Sequence, residues 1–188
     1  MTMDAQIGSV VSGSHHLLRM LCRLIPFIPE EDTAVVVGTI INSRLDYANS
    51  LSLGLPKYQI SRLQVVQNTA ARLVTGKKPW EPISPALRSL HWLPVQDRVT
   101  FKTLCLTHKC TQGKAPQYLS EKIKPYVTQR VLRSTNQNLL QIPKSRYKSK
   151  GERRFSVQGP RLWNALPTTI RLEENHRVFR KKLKTHLF

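Results

Sequence analysis

The sequence predicts a mainly α protein: a helical bundle followed by an irregular basic tail that carries short strands or extended segments and ends in a helix. Three observations carry this. Through residue 121 apolar residues recur at helical spacing in segments bounded by Pro and Gly, beyond 122 that periodicity weakens, and the charge changes character at the same place. Of 188 residues, 30 are Lys or Arg and 11 are Asp or Glu, a formal net charge of +19. Residues 1–121 hold 13 basic and 8 acidic side chains, net +5, whereas 122–188 hold 17 and 3, net +14. The chain thus divides into a helical region, 1–121, and a basic C-terminal region, 122–188; with 40% hydrophobic residues it can build a core.

In residues 14–25, Leu17, Leu18, Leu21, Leu24 and Ile25 fall at helical spacing, with Ser14 as N-cap and Pro26 as stop. Pro29 followed by Glu30, Glu31 and Asp32 opens a second helix, because Pro is tolerated in the first turn and carboxylates favour the positive end of the dipole. It runs through Val36, Ile40 and Ile41 towards Leu45 and Tyr47. After the turn Gly54-Leu-Pro-Lys57, residues 58–74 form a strongly amphipathic helix through Ile60, Leu63, Val66 or Gln67, Ala70, Leu73 and Val74, stopped by Gly76. A Pro-rich connector over 79–85 leads to a short helical turn at 86–90. Trp92-Leu-Pro94 then opens a helix on which Val95, Val99, Leu104 or Cys105 and His108 share a broad face, closed by Gly113. In the basic region, 139–143 and 154–157 read as short strands or extended segments. Residues 160–167 read as a short helix ended by proline, and 173–187 as a terminal amphipathic helix with Val178, Phe179, Leu183 and Leu187 inward.

The basic excess points to a polyanionic partner, RNA or DNA. Arg146, Lys148, Lys150, Arg153 and Arg154 form one candidate phosphate-contacting group, with Tyr147 as a stacking residue, and Arg180, Lys181, Lys182 and Lys184 form another. Arg62 and Arg72 on the long helix are secondary candidates, or a solvated face. The terminal helix also sets Phe179, Leu183 and Leu187 against a cationic side, the pattern of a helix lying on an anionic membrane. The best apolar run, 34–41, contains Gly38 and Thr39 and falls far short of the ~18 residues of a membrane span. The N-terminus lacks the positive stretch of a signal peptide, and three cysteines make an odd, sparse set suited to a reducing compartment; an intracellular site, nucleus or cytoplasm, is expected.

No catalytic constellation stands out. Cys105, His108 and Cys110 do not share one helix face and lack a fourth ligand, so no metal and no cofactor is expected. His15 and His16 are adjacent and point to different sides of a helix, as a surface-and-core pair. The carboxylates are scattered, the densest group being Glu30-Glu-Asp32 at a helix start, where two-metal phosphoryl chemistry needs them clustered. Phosphate-binding, nucleophile-elbow and dinucleotide glycine motifs are absent. The chain therefore reads as a non-enzyme.

Several phrases together are more specific: Ser43-Arg-Leu-Asp-Tyr-Ala-Asn-Ser-Leu51, Gly54-Leu-Pro56, Leu63-Gln-Val-Val-Gln-Asn-Thr-Ala-Ala-Arg-Leu-Val-Thr-Gly76 and Leu90-His-Trp-Leu-Pro-Val95. They continue in Gly113-Lys-Ala-Pro-Gln-Tyr-Leu119, Arg130-Val-Leu-Arg-Ser134, Phe155-Ser-Val157, Pro160-Arg-Leu-Trp-Asn-Ala-Leu-Pro167 and the ending Phe179 to Phe188. In these the chain resembles, over essentially its whole length, the C-terminal region of non-LTR (LINE-type, Jockey superfamily) retrotransposon reverse transcriptases. The resemblance implies a helical thumb-like region near residues 10–112 and a basic tail, which hold template, primer or target nucleic acid. The family's polymerase motif, an aromatic residue, any residue and two aspartates, has no counterpart here, so the palm's magnesium chemistry is not implied, nor is any metal role for Asp46. Relatives usually carry Cys at the position of Ala48, read as a small buried hydrophobe. Trp92, Trp163, Leu90 and Leu166, each near a proline, read as core anchors. An initiating methionine so near the family boundary fits a truncated element. The alternative reading is a degenerate or domesticated remnant, an interaction or structural module that exposes the surface once turned to the missing palm and self-associates, or that has no function.

Overall fold

The computed structural model describes residues 3–127, 137–145 and 151–188. Among these the chain is mainly α, with nine α-helices, two 3-10 turns and one isolated β-bridge. Packing divides it into two units, Met1–Arg98 and Val99–Phe188. The charge boundary at 121/122 falls inside the second unit, because apolar faces place a helix while the sign of its solvated surface is free to change along it.

The first unit is built on three long helices, α1 (Met3–Leu24), α2 (Glu30–Asp46) and α3 (Lys57–Thr75). Helix α1 begins at Met3, not at Ser14, and Ser14 is buried inside the helix instead of capping it. The reason is tertiary: Ile7 enters the core and Val10 and Val11 pack against it, outweighing the cost of about 1 kcal/mol that each interior glycine carries.

Helices α1 and α3 run parallel. Asp4 at the start of α1 accepts hydrogen bonds from Arg62 (3.0 Å) and Gln59 (3.3 Å) at the start of α3, and residues 15–22 lie beside 69–76 further along. Helix α2 begins after Pro29, whose carbonyl takes the Asp32 and Thr33 N–H groups, and it ends where Ala48 adopts φ +49. Helix α3 ends at Gly76 in the left-handed region, φ +65, where glycine carries no Cβ penalty. Val37, Ile41, Leu63, Val66, Ala70 and Trp92 form the centre of this core. Below α4 (Ser84–Ser89), two glutamines of α3 guide the chain onward: Gln67 Nε2 donates to Leu93 O at 2.9 Å, and Gln64 Oε1 accepts the Val95 N–H at 2.8 Å. The second bond satisfies an amide left open at the start of α5 (Val95–Thr111).

The second unit takes most of α5, then α6 (Gln117–Ser120), α7 (Phe155–Asn164), α8 (Thr168–Arg171) and α9 (His176–Leu187). Residues 154–157 are not a strand. They enter α7, which starts at Phe155 and holds Pro160 in its interior, because Phe155, Gly159 and Trp163 repeat at four-residue spacing on a face turned to the core. Residues 139–143 are extended, paired with the chain at the Pro125–Leu140 bridge through Tyr126 N–H to Leu139 O (2.9 Å) and Gln141 N–H to Lys124 O (2.8 Å). Asn175, not Glu173, starts α9: its Oδ1 accepts the Arg177 and Val178 N–H groups at 2.9 and 3.4 Å. Phe179 and Leu183 are wholly buried and Leu187 half-buried, whereas Val178, expected inward, is exposed. No helix among the described residues is long and apolar enough to cross a membrane.

Candidate nucleic-acid interface

Fully buried Trp163, Phe179, Leu183, Leu104 and His108 make the floor of the second unit. His108 stacks on Phe179 with centroids 4.2 Å apart, and Phe179 stacks on Trp163 at 5.7 Å. Two side chains of α7 reach from this floor to the extended segment. Trp163 Nε1–H donates to Asn138 O at 2.8 Å. Asn164 Nδ2 donates to Leu140 O at 2.8 Å while its Oδ1 accepts the Leu140 N–H at 2.9 Å, so one amide serves both polar groups of one residue as a neighbouring strand would. The chain that leads into the basic stretch 144–154 is thereby anchored at its start.

Of the first candidate group, Arg146, Tyr147, Lys148 and Lys150 lie outside the described residues. Arg153 is half-buried; Arg154 is exposed, sits at the N-cap of α7 and donates Nε–H to Gly151 O at 3.1 Å. On α9, Arg180 and Lys181 are exposed, and Lys184 is half-buried with Nζ 5.8 Å from the Phe188 ring centre. Lys182 stands apart from them: its Nζ donates to Glu173 Oε2 at 2.7 Å, which offsets its charge. That bond holds the Glu173 carboxyl below its ordinary pKa. Arg177, which opens the same basic cluster in the sequence but lies outside the second candidate group, takes its place. Residues 177, 180, 181 and 184 stand at i, i+3, i+4 and i+7, one stripe about 10 Å long, with Arg177, Lys181 and Lys184 turned away from Phe179 and Leu183 and Arg180 on the flank beside Leu183, close enough to Cys105 and His176 to act on both. Helical spacing from those two core residues was the signal that would have found it.

The secondary candidates are engaged elsewhere, Arg62 with Asp4 and Arg72 through Nη2 with the Pro79 carbonyl at 3.1 Å. Phe179 and Leu183 are used in the core, so the apolar side of α9 is turned to the interior of the second unit. His16 is exposed and His15 half-buried, so neither is a core residue. Asp46 pairs with Arg98, Nε to Oδ1 at 2.9 Å. Burial pushes the Cys105 thiol up to about 11 and raises that of Cys110, which holds both neutral. Among the described residues no group of three His, Cys, Asp or Glu is placed to hold a metal.

Arg171, unremarked in the sequence, is buried, with Nη2 on Thr168 Oγ1 at 3.2 Å and with Nε and Nη1 lacking a hydrogen-bond partner among the described residues. Compared with models of known protein families, with curated proteins and with solved structures, the chain matches none.

Proposed function

We propose that this chain is a non-catalytic, nucleic-acid-binding piece similar to the C-terminal part of a retrotransposon RNA-directed DNA polymerase. It holds template and primer, or target nucleic acid, through phosphate contacts. The observation that supports this most is the stripe Arg177, Arg180, Lys181 and Lys184, carried on a helix whose other side is locked into a core, within a region of net charge +14. The helix backbone that carries these cations is already ordered, so only their side chains lose freedom on meeting a phosphate backbone. Their contacts position a strand without reading its bases. Binding is then weakly sequence-specific and steeply salt-dependent.

The test is equilibrium binding of the purified chain to labelled single-stranded RNA, RNA/DNA hybrid and duplex DNA over a salt series. A preference for one form, with a slope equivalent to several phosphates, supports the reading; equal and feeble binding to all three sinks it.

A second reading, an interaction remnant, is favoured by one observation: Phe27, Tyr47 and Trp80 of the first unit are each at least 77% exposed. It predicts concentration-dependent oligomers in sedimentation that persist when the basic residues are neutralised.

A further inference from the structure

We propose that the groove between the C-terminal halves of α1 and α3 is a docking site for an acidic amphipathic helix of another protein. The groove encloses about 550 Å³. Its α1 wall is His15, Leu18, Arg19 and Cys22. Its α3 wall is Thr69, Arg72, Leu73 and Gly76. Residues 15, 18, 19 and 22 stand at i, i+3, i+4 and i+7 of α1, and 69, 72 and 73 at i, i+3 and i+4 of α3 with Gly76 just past its end, so each wall is one helix face, the periodicity that a third helix laid into the groove would match.

The chemistry of the walls selects the occupant. Leu18 and Leu73 give an apolar floor, and Gly76, with no side chain, leaves the far end open. Three cations border that floor: Arg19 on α1, Arg72 on α3 and Lys77 just beyond it. Arg72 and Lys77 are directed at main-chain carbonyls of residues 79 and 82, and among the described residues no carboxylate pairs with any of the three. The nearby Glu81 uses its Oε1 on the Lys78 N–H and offers Arg72 only its main-chain oxygen. A partner with apolar anchors flanked by Asp or Glu matches both features.

Direction follows as well. Because α1 and α3 are parallel, the negative ends of both dipoles lie at this end of the groove, which favours an incoming helix whose positive, N-terminal dipole end arrives there, with its carboxylates further along beside Arg19 and Arg72. A nucleic-acid strand fits less well, since no Phe, Tyr or Trp lines the groove to stack on a base.

The probe is a fluorescein-labelled, stapled helical peptide of about 16 residues, roughly four turns. It carries Leu at i, i+3, i+4 and i+7 and Glu or Asp at most other positions. Binding to the full chain is read by anisotropy and, without any variant, by protection of Cys22, which is exposed and lines the groove, from alkylation. The expected result is saturable binding, slowed Cys22 alkylation, and at least about a tenfold loss of affinity in the Arg19→Glu, Lys77→Glu double variant, equivalent to about 1.4 kcal/mol. The inference is overturned if a peptide with the four Leu replaced by Ala protects Cys22 equally, which would leave charge alone. It is also overturned if a single-stranded RNA of equal charge protects Cys22 and displaces the peptide, or if no probe protects it.

Discussion

The Nδ1 atoms of His108 and His176 lie 3.1 Å apart, while His108 Nε2 meets the Glu173 carbonyl at 2.8 Å. A carbonyl only accepts, so His108 carries its proton on Nε2 and presents a lone pair at Nδ1 to the Nδ1–H of His176. Burial is the largest influence on both imidazoles and lowers both pKa values; Lys109 and Arg180 beside His176, and Lys114 beside both, push the same way, and Glu173 opposes them at His108. With folded pKa values depressed, the unfolded chain binds more protons as pH falls. Stability is therefore complete above the ordinary imidazole pKa of about 6.5 and is lost below it. Urea unfolding between about pH 8 and 5 should show this decline. His176→Gln, whose side-chain amide can still donate to His108, should keep stability at the alkaline end and flatten the slope. An unchanged slope would remove the pair from the account.

Asp46 and Arg98 are joined by two hydrogen bonds, with their side chains about four-fifths buried. Asp46→Ala leaves the Arg98 guanidinium without its acceptor in a poorly solvated place, and should cost about 1–3 kcal/mol in denaturant unfolding. The doubly truncated Asp46→Ala, Arg98→Ala chain should lose less than the two single losses added together, because the stranded charge is gone. Additive losses would show that the pair does not couple.

How much of this was legible depended on whether the cause was local. The ends of α2 and α3 were, since Pro29 and Gly76 act through their own backbone, and so was the inward side of α5 down to His108. The start of α1 was not: Gly8, Gly13, Ser9 and Ser12 outweigh Ile7 and Val10 locally, and only packing against α2 and α3 makes helix the better state. The entry into α7 was missed for the same reason, because Phe155 and Val157 alternate like a strand until Phe155 is seen to pack on the core that holds Trp163. In the candidate interface, the stripe on α9 was half visible. The count of cations was plain, but the bond from Lys182 to Glu173 joins residues nine apart across the turn that Asn175 caps, and no periodicity announces it.

Ala48 illustrates the opposite case, a residue whose neighbourhood was read as burial when the constraint is backbone. It is exposed and holds φ +49, ψ +27. A residue with a Cβ is strained there by about 1 kcal/mol, part of which glycine's greater freedom in the unfolded chain takes back. Ala48→Gly should therefore raise the unfolding free energy by about 0.5 kcal/mol, whereas Ala70→Gly inside α3 should lower it by at least about 1 kcal/mol. Thermal unfolding of the two variants side by side decides it. Destabilisation at both positions would mean that the left-handed turn is not formed in solution.

The stripe on α9 makes a graded prediction for binding. Replacing Arg177, Arg180, Lys181 and Lys184 by Gln should reduce the slope of log K against log salt by about 3 to 4 on duplex DNA, close to one unit for each phosphate contact removed. Lys182→Gln should change it by much less than one unit, because Glu173 already neutralises that ammonium. Equal effects of Lys182 and Lys181 would mean that net charge, not the stripe, governs binding.

The amide of Asn164 tests how the basic stretch is anchored. Asn164→Ala strands the Leu140 N–H and C=O together, in a segment where Leu140 itself is buried, and should cost about 2–4 kcal/mol for the two groups. Asn164→Asp is the sharper variant. The carboxylate still accepts the Leu140 N–H, but its second oxygen faces the Leu140 carbonyl where a donor is required, so at neutral pH it should be at least as unstable as the Ala variant. Protonation restores a donor, and the deficit of the Asp variant relative to the parent chain should shrink as pH falls through the carboxyl range while that of the Ala variant stays level. Unfolding measured in parallel on the three chains reads this directly. Parallel curves for Asp and Ala would show that the Asn164 amide does not bridge Leu140.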